Sequence, residues 1–149
     1  MSEHDWSPKE QALLGAALFS NIADVVTTKS ALKRGALETN KLLGRNPSDE
    51  KLNASLALNS LLVSALAGTL PKENRAAFLG AWTGFKSALA AQNTKTDKKT
   101  GPKSFGEGVK VPAASAVIGY LLAKHLGEMA EVRMTKDDEG AKLSLSMRF

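Results

Sequence analysis

The sequence predicts a mainly α-helical fold, a four-helix bundle-like assembly followed by a C-terminal β-hairpin. Three observations carry that expectation. Apolar residues recur at three- and four-residue spacing through four segments, each opened by cap or proline signals. The chain is 43% hydrophobic but only 5% aromatic, so its core must come from close helix packing rather than from large rings. After about residue 129 the apolar period shortens to two, which is the signature of strands. The 149 residues suffice for one ordinary domain.

The first helix is expected over 8–34. Ser7 is a good N-cap, Pro8 suits the first helical position, and Glu10 completes a capping box. Leu13, Leu14, Ala17, Leu18, Ile22, Val25 and Val26 then follow helical spacing. Lys33 and Arg34 lie in the last turn, where cations complement the macrodipole. Gly35 offers a left-handed cap.

Asn46-Pro47-Ser48-Asp49 opens the second helix, and residues 52–71 form a run of 20 uncharged residues. That length matches the roughly 20 helical residues needed to cross a bilayer. Its Asn53, Ser55, Asn59, Ser60, Ser64 and Thr69 equally fit the central helix of a soluble bundle. Pro71 closes this helix and Lys72-Glu73-Asn74 opens the third, over 74–92. There Phe78, Trp82, Phe85 and Leu89 form a stripe, and Gly80 and Gly84 make a G-x-x-x-G extended by Ala77 and Ala88. Small-residue rows let two backbones approach closely, so Gly80, Trp82 and Gly84 are expected at a helix–helix contact.

Residues 93–110 break every period and carry five lysines and two acids. They read as a flexible basic loop between a three-helix domain over 1–92 and a helix-plus-hairpin unit over 111–149. Lys98, Lys99 and Lys103 are its candidate phosphate contacts, and its lysines favour a cytoplasmic position if the neighbouring helices span. Val111-Pro112 opens the last helix, whose uncharged stretch 111–123 is too short to cross a bilayer alone. Val132 and Met134, a turn at 136–140, and the alternating Leu143, Leu145, Met147 and Phe149 spell a hairpin. A lone hairpin is marginal in water. It must dock on the helices or pair with another copy, which predicts a homo-oligomer with Phe149 at the contact.

Asn21, Asp24 and Thr28, at i, i+3 and i+7, share one polar stripe on an otherwise apolar helix. Glu38 and Asn40 follow just beyond Gly35. These five are expected to form an internal polar layer, because buried polar groups must satisfy one another. A layer fixing helix register, an ion or proton site, and an exposed face without a role all fit the pattern.

The chain has no cysteine, which excludes disulfides, thiolate catalysis and the common zinc motifs. No phosphate loop, dinucleotide fingerprint, calcium loop or nucleophile elbow occurs, and His4 and His125 lack triad-like neighbours. No catalytic residue, metal or cofactor is expected, and the chain does not read as an enzyme. Its net charge of +5 favours phosphates, in lipid or nucleic acid. Lysine dominates where a base reader would use arginine, so sequence-specific nucleic-acid binding is not expected. Residues 1–10 mix acid and base and give no signal-peptide pattern, so synthesis in the cytosol without standard secretion is expected.

The stretch Asn21–Gly44 resembles a family of small bacterial, archaeal and phage helical membrane proteins. Their shared opening is D-x-x-T-T followed by L-x-x-G-x-x-E-x-N-P-L. Asp24, Thr27, Thr28, Leu32, Gly35, Glu38, Asn40 and Leu42 match, and Lys41 stands where the family has proline. The resemblance implies a short helical bundle with a polar motif inside the bilayer. Size and composition are also similar to small virion or ejection proteins of tailed phages. The functional expectation is a non-enzymatic, membrane-associated structural protein, a phage virion or ejection component that homo-oligomerises, with a conduit as one form. Its partners would be further copies, a bilayer or other anionic phosphate surface, and other virion proteins, at a host membrane or in a virion. The alternative is a soluble helical adaptor that binds protein or nucleic acid.

Overall fold

The computed structural model describes residues 6–99, 101, 105–137 and 140–147. The fold is mainly helical: α1 (Pro8–Lys33), α2 (Asp49–Thr69), α3 (Lys72–Lys95), a single turn α4 (Phe105–Gly108) and α5 (Lys110–Met129). At the C-terminus the backbone forms β1 (Ala130–Asp137) and β2 (Gly140–Met147), paired antiparallel from Ala130 opposite Met147 to Asp137 opposite Gly140.

Local chemistry sets the helix ends. The Ser7 hydroxyl accepts from Glu10 N at 3.2 Å and the Glu10 carboxylate accepts from Ser7 N at 2.7 Å, closing the capping box. Ser48 accepts from Lys51 N and starts α2. Hydrogen bonding to Ser48 also holds the Glu50 carboxyl below its usual range. Helix α1 stops at Lys33, with Arg34 as C-cap and Gly35 at φ +86°, a conformation that favours glycine. Helix α3 runs past the expected residue 92 to Lys95. The Arg34 guanidinium reaches across to donate to the carbonyls of Asn93, Thr94 and Thr96, satisfying groups that a helix C-terminus leaves unpaired. The interhelical segment therefore starts at Thr96 rather than at 93.

Helix α3 is the central element. Pairs Glu10–Arg75, Asn21–Trp82, Asp24–Lys86 and Thr28–Asn93 climb α1 and α3 in the same direction, so these helices run parallel. Helix α2 returns antiparallel, with Lys29 beside Asn53 and Asp49 and Asn21 beside Ser60. Helix α5 packs antiparallel on the other side of α3. A Cβ on Gly80 would collide with the Gly119 carbonyl and Ala123, and one on Gly84 with the Ser115 carbonyl. The helix backbones come close at Gly80 and Gly84, with Gly119 opposite them. Because α5 packs this closely on α3, the helices on both sides of the basic segment make one packed body.

The dry core is small: Ala17, Val63, Ala67 and Leu79, with Trp6, Leu13, Leu14, Leu18, Phe78 and Trp82 around it. Large apolar side chains lie outside it, including Phe19 and Val26 on α1, Leu58 and Leu61 on α2, and Ile118 and Leu122 on α5. Glu10, Asn21 and Arg75 are buried instead.

Candidate polar seam between α1 and α3

The stripe expected on α1 faces α3. Asn21, 1% exposed, accepts a hydrogen bond from Trp82 Nε1 at 2.9 Å and lies 3.4 Å from Ser60 Oγ on α2. One turn on, Lys86 Nζ donates to Asp24 Oδ2 at 2.9 Å, both side chains being largely covered. Asn93 Nδ2 lies 3.2 Å from Asp24 Oδ1 and 2.9 Å from Thr28 Oγ1, and so bridges the two. Register is fixed this way because a slip of either helix would leave several of these groups unpaired at once.

Glu38 and Asn40 do not join this ladder directly. Glu38 Oε1 accepts from Asn40 N at 2.8 Å and Asn40 Oδ1 accepts from Leu42 N at 3.1 Å, so each first stabilises its own loop turn. Their place is the wall of a cavity of about 230 Å³, which they share with Asp24, Thr28, Lys86 and Asn93. Asn59 and Gln92 line it too, and Gln92 Oε1 is buried with no hydrogen-bond partner among the described residues. Two carboxylates, one ammonium and several amides make this a polar chamber, open to water-sized solutes. Among the described residues no group of three or more His, Cys, Asp or Glu could hold a metal ion.

Trp82 departs from its expected grouping with the glycines. Gly80 and Gly84 turn to α5, whereas the Trp82 indole turns to α1 and bonds Asn21, with Phe78 at 6.2 Å between ring centroids. Lys98 and Lys99 are exposed just beyond α3, and Lys99 N donates to Asp97 Oδ1 at 2.7 Å. Lys103 and Phe149 lie outside the described residues.

A second buried pair closes the other end of the seam. Glu10 and Arg75 approach to 3.6 Å, the Arg75 Nε–H donates to Ala67 O at 3.0 Å, and its guanidinium stacks 5.0 Å from the Trp6 ring centre. Nearby, Lys9 Nζ donates to Ala123 O at 3.2 Å, and burial pushes its ammonium below the ordinary lysine range against the pull of Glu10. The capping box signalled Glu10 in the sequence only as a cap, and nothing local signalled Arg75 as its partner.

No family model, curated protein or solved structure matches this chain.

Proposed function

We propose that the protein is a non-enzymatic, membrane-associated structural protein that assembles with copies of itself. The single observation that carries this reading is the placement of its large apolar side chains: the interior is built from small residues and a polar seam, while many leucine, isoleucine and phenylalanine side chains face outward. In water such faces mark an interaction surface. In a bilayer the hydrocarbon is as apolar as leucine, and helices associate through small residues and polar contacts, as Gly80, Gly84, Gly119 and the seam do here.

The spacing of charge agrees. In α1 the stretch 11–28 contains one charge, Asp24; in α3 the stretch 76–94 contains one, Lys86; and 52–71 contains none. Those two charges pair with each other. Ion pairs bracket the stretches, Glu10–Arg75 at one end and Lys29–Asp49 at the other. Each stretch is 18 to 20 residues, or about 30 Å of helix, the thickness of a bilayer core. Among the described helices, α2 alone is both long and apolar enough to cross a membrane by composition, and only 17% of its apolar window is buried.

In this reading the C-terminal hairpin is an assembly element that docks or pairs between copies. A phage virion or ejection role is supported by the sequence resemblance alone. Fractionation tests the membrane reading: the full chain is expected to stay in the pellet through an alkaline carbonate wash and to enter solution with mild detergent. Protein that stays in the supernatant after ultracentrifugation without detergent overturns it in favour of the soluble adaptor.

A further inference from the structure

The fold sorts charge between its two ends. The α1–α2 connection and the α3–α5 connection lie at the same end, because α1 and α3 run parallel while α2 and α5 run against them. Residues 29–51 and 95–110, the segments belonging in sequence to that end, carry eleven Lys or Arg and five Asp or Glu. The segments belonging in sequence to the other end, 1–10, 70–75 and 124–149, carry eight and nine. The chain's whole positive excess therefore belongs to one end. Lys33, Lys41, Arg45, Lys51, Lys98 and Lys99 stand exposed there.

Resting on the membrane reading above, we propose that this cationic collar lies against the anionic phospholipid headgroups of the cytoplasmic leaflet, with the α2–α3 turn and the start of α1 at Pro8 on the opposite side. Lys and Arg beside short loops are retained on the cytoplasmic face, and near an anionic leaflet each is drawn further to its phosphates. The collar begins where the three charge-poor stretches end, at Lys29, Lys51 and Lys95. Long lysine and arginine side chains can therefore reach the headgroups while their stems stay on apolar surface. The hydroxyl- and amide-rich chamber opens at this same level, walled by Glu38 and Asn40 of the first connection and Val109 of the second.

The absence of cysteine makes the test direct. Three single-cysteine variants of the full chain, Leu42→Cys, Lys99→Cys and Thr69→Cys, are expressed in bacterial cells and exposed to a membrane-impermeant maleimide. Thr69→Cys is expected to label in intact spheroplasts, and Leu42→Cys and Lys99→Cys only after permeabilisation. A collar variant with Lys33, Lys41, Arg45, Lys98 and Lys99 all changed to Gln, each exposed in the parent, is expected to lose the bias and label Thr69→Cys in a smaller fraction of molecules. Reversed labelling, or protection of all three sites in protein that pellets with membranes, overturns the orientation and leaves the membrane reading standing. Recovery of the three variants in the soluble fraction overturns both.

Discussion

Asp24 of α1 and Lys86 of α3 meet at 2.9 Å, and each is the only charge in the long uncharged stretch of its own helix. Neither would be tolerated alone in an apolar setting, where a lone buried charge costs several kcal/mol. Their meeting requires the parallel arrangement of two helices separated in sequence by α2. The pair is thus a test of topology as well as a contact.

Asp24→Asn leaves the Lys86 ammonium without its counter-charge. The expected loss is on the order of 1–3 kcal/mol, read from unfolding of the purified protein in a defined detergent. Lys86→Met should cost a similar amount. The double variant should cost clearly less than the two single losses combined, the coupling expected of residues in direct contact. Strict additivity would show that the two groups do not depend on each other.

The crossing of α3 and α5 allows no side chain at its centre. Gly119→Val and Gly80→Val should each destabilise by roughly 1–3 kcal/mol through overpacking and release α5 from α3, visible as faster amide exchange along α5. Gly15 and Gly68 serve as controls, since a Cβ at either meets nothing within 4 Å. Gly15→Ala and Gly68→Ala should stabilise by roughly 0.5–1 kcal/mol, because alanine is the better helix former.

Trp82→Phe keeps the ring and removes the N–H that reaches the buried Asn21. A loss of about 1–2 kcal/mol is expected from the orphaned acceptor, measured by chemical unfolding. An unchanged midpoint would mean that Asn21 finds another donor.

Leu61 separates water from lipid as the surroundings of α2. It is 70% exposed at the middle of the 20-residue uncharged run. In a bilayer, Leu61→Lys should raise the cost of insertion by about 2.5–3.5 kcal/mol and lower the membrane-bound fraction. On a water-facing surface the same change should alter stability by less than about 0.5 kcal/mol.

Arg34→Ala removes the donors that close α3. A decrease of about 0.3–1 kcal/mol is expected, with exchange quickening first at residues 93–96, where the carbonyls of Asn93, Thr94 and Thr96 lose their partner.

The sequence made the helices legible because their signals are local. The Ser7–Glu10 box, the Ser48 cap and Gly35 each act within a few residues, and all sit where the pattern put them. The polar stripe of Asn21, Asp24 and Thr28 was legible for the same reason. Its partners were not, since Trp82, Lys86 and Asn93 lie among alanines and glycines and read as an ordinary mixed helix. Trp82 lies beside the glycines in sequence, yet its indole meets Asn21 of α1 while the glycine backbone meets α5. The end of α3 lies beyond the local pattern because Arg34, some 60 residues away, supplies its cap. Gly119 was hidden because a small-residue row announces that a neighbour comes close without saying which one.

The outward apolar faces and the polar seam have a consequence for how the sequence can vary. In a comprehensive substitution library, the outward positions Phe19, Leu58, Leu61, Ile118 and Leu122 should accept almost any greasy replacement while rejecting charge. The seam and ion-pair residues Asn21, Asp24, Arg75 and Lys86 should accept almost nothing. On its outer faces such a tolerance map would be the opposite of the one a water-dissolved bundle gives, and selection for membrane accumulation alone would be enough to record it.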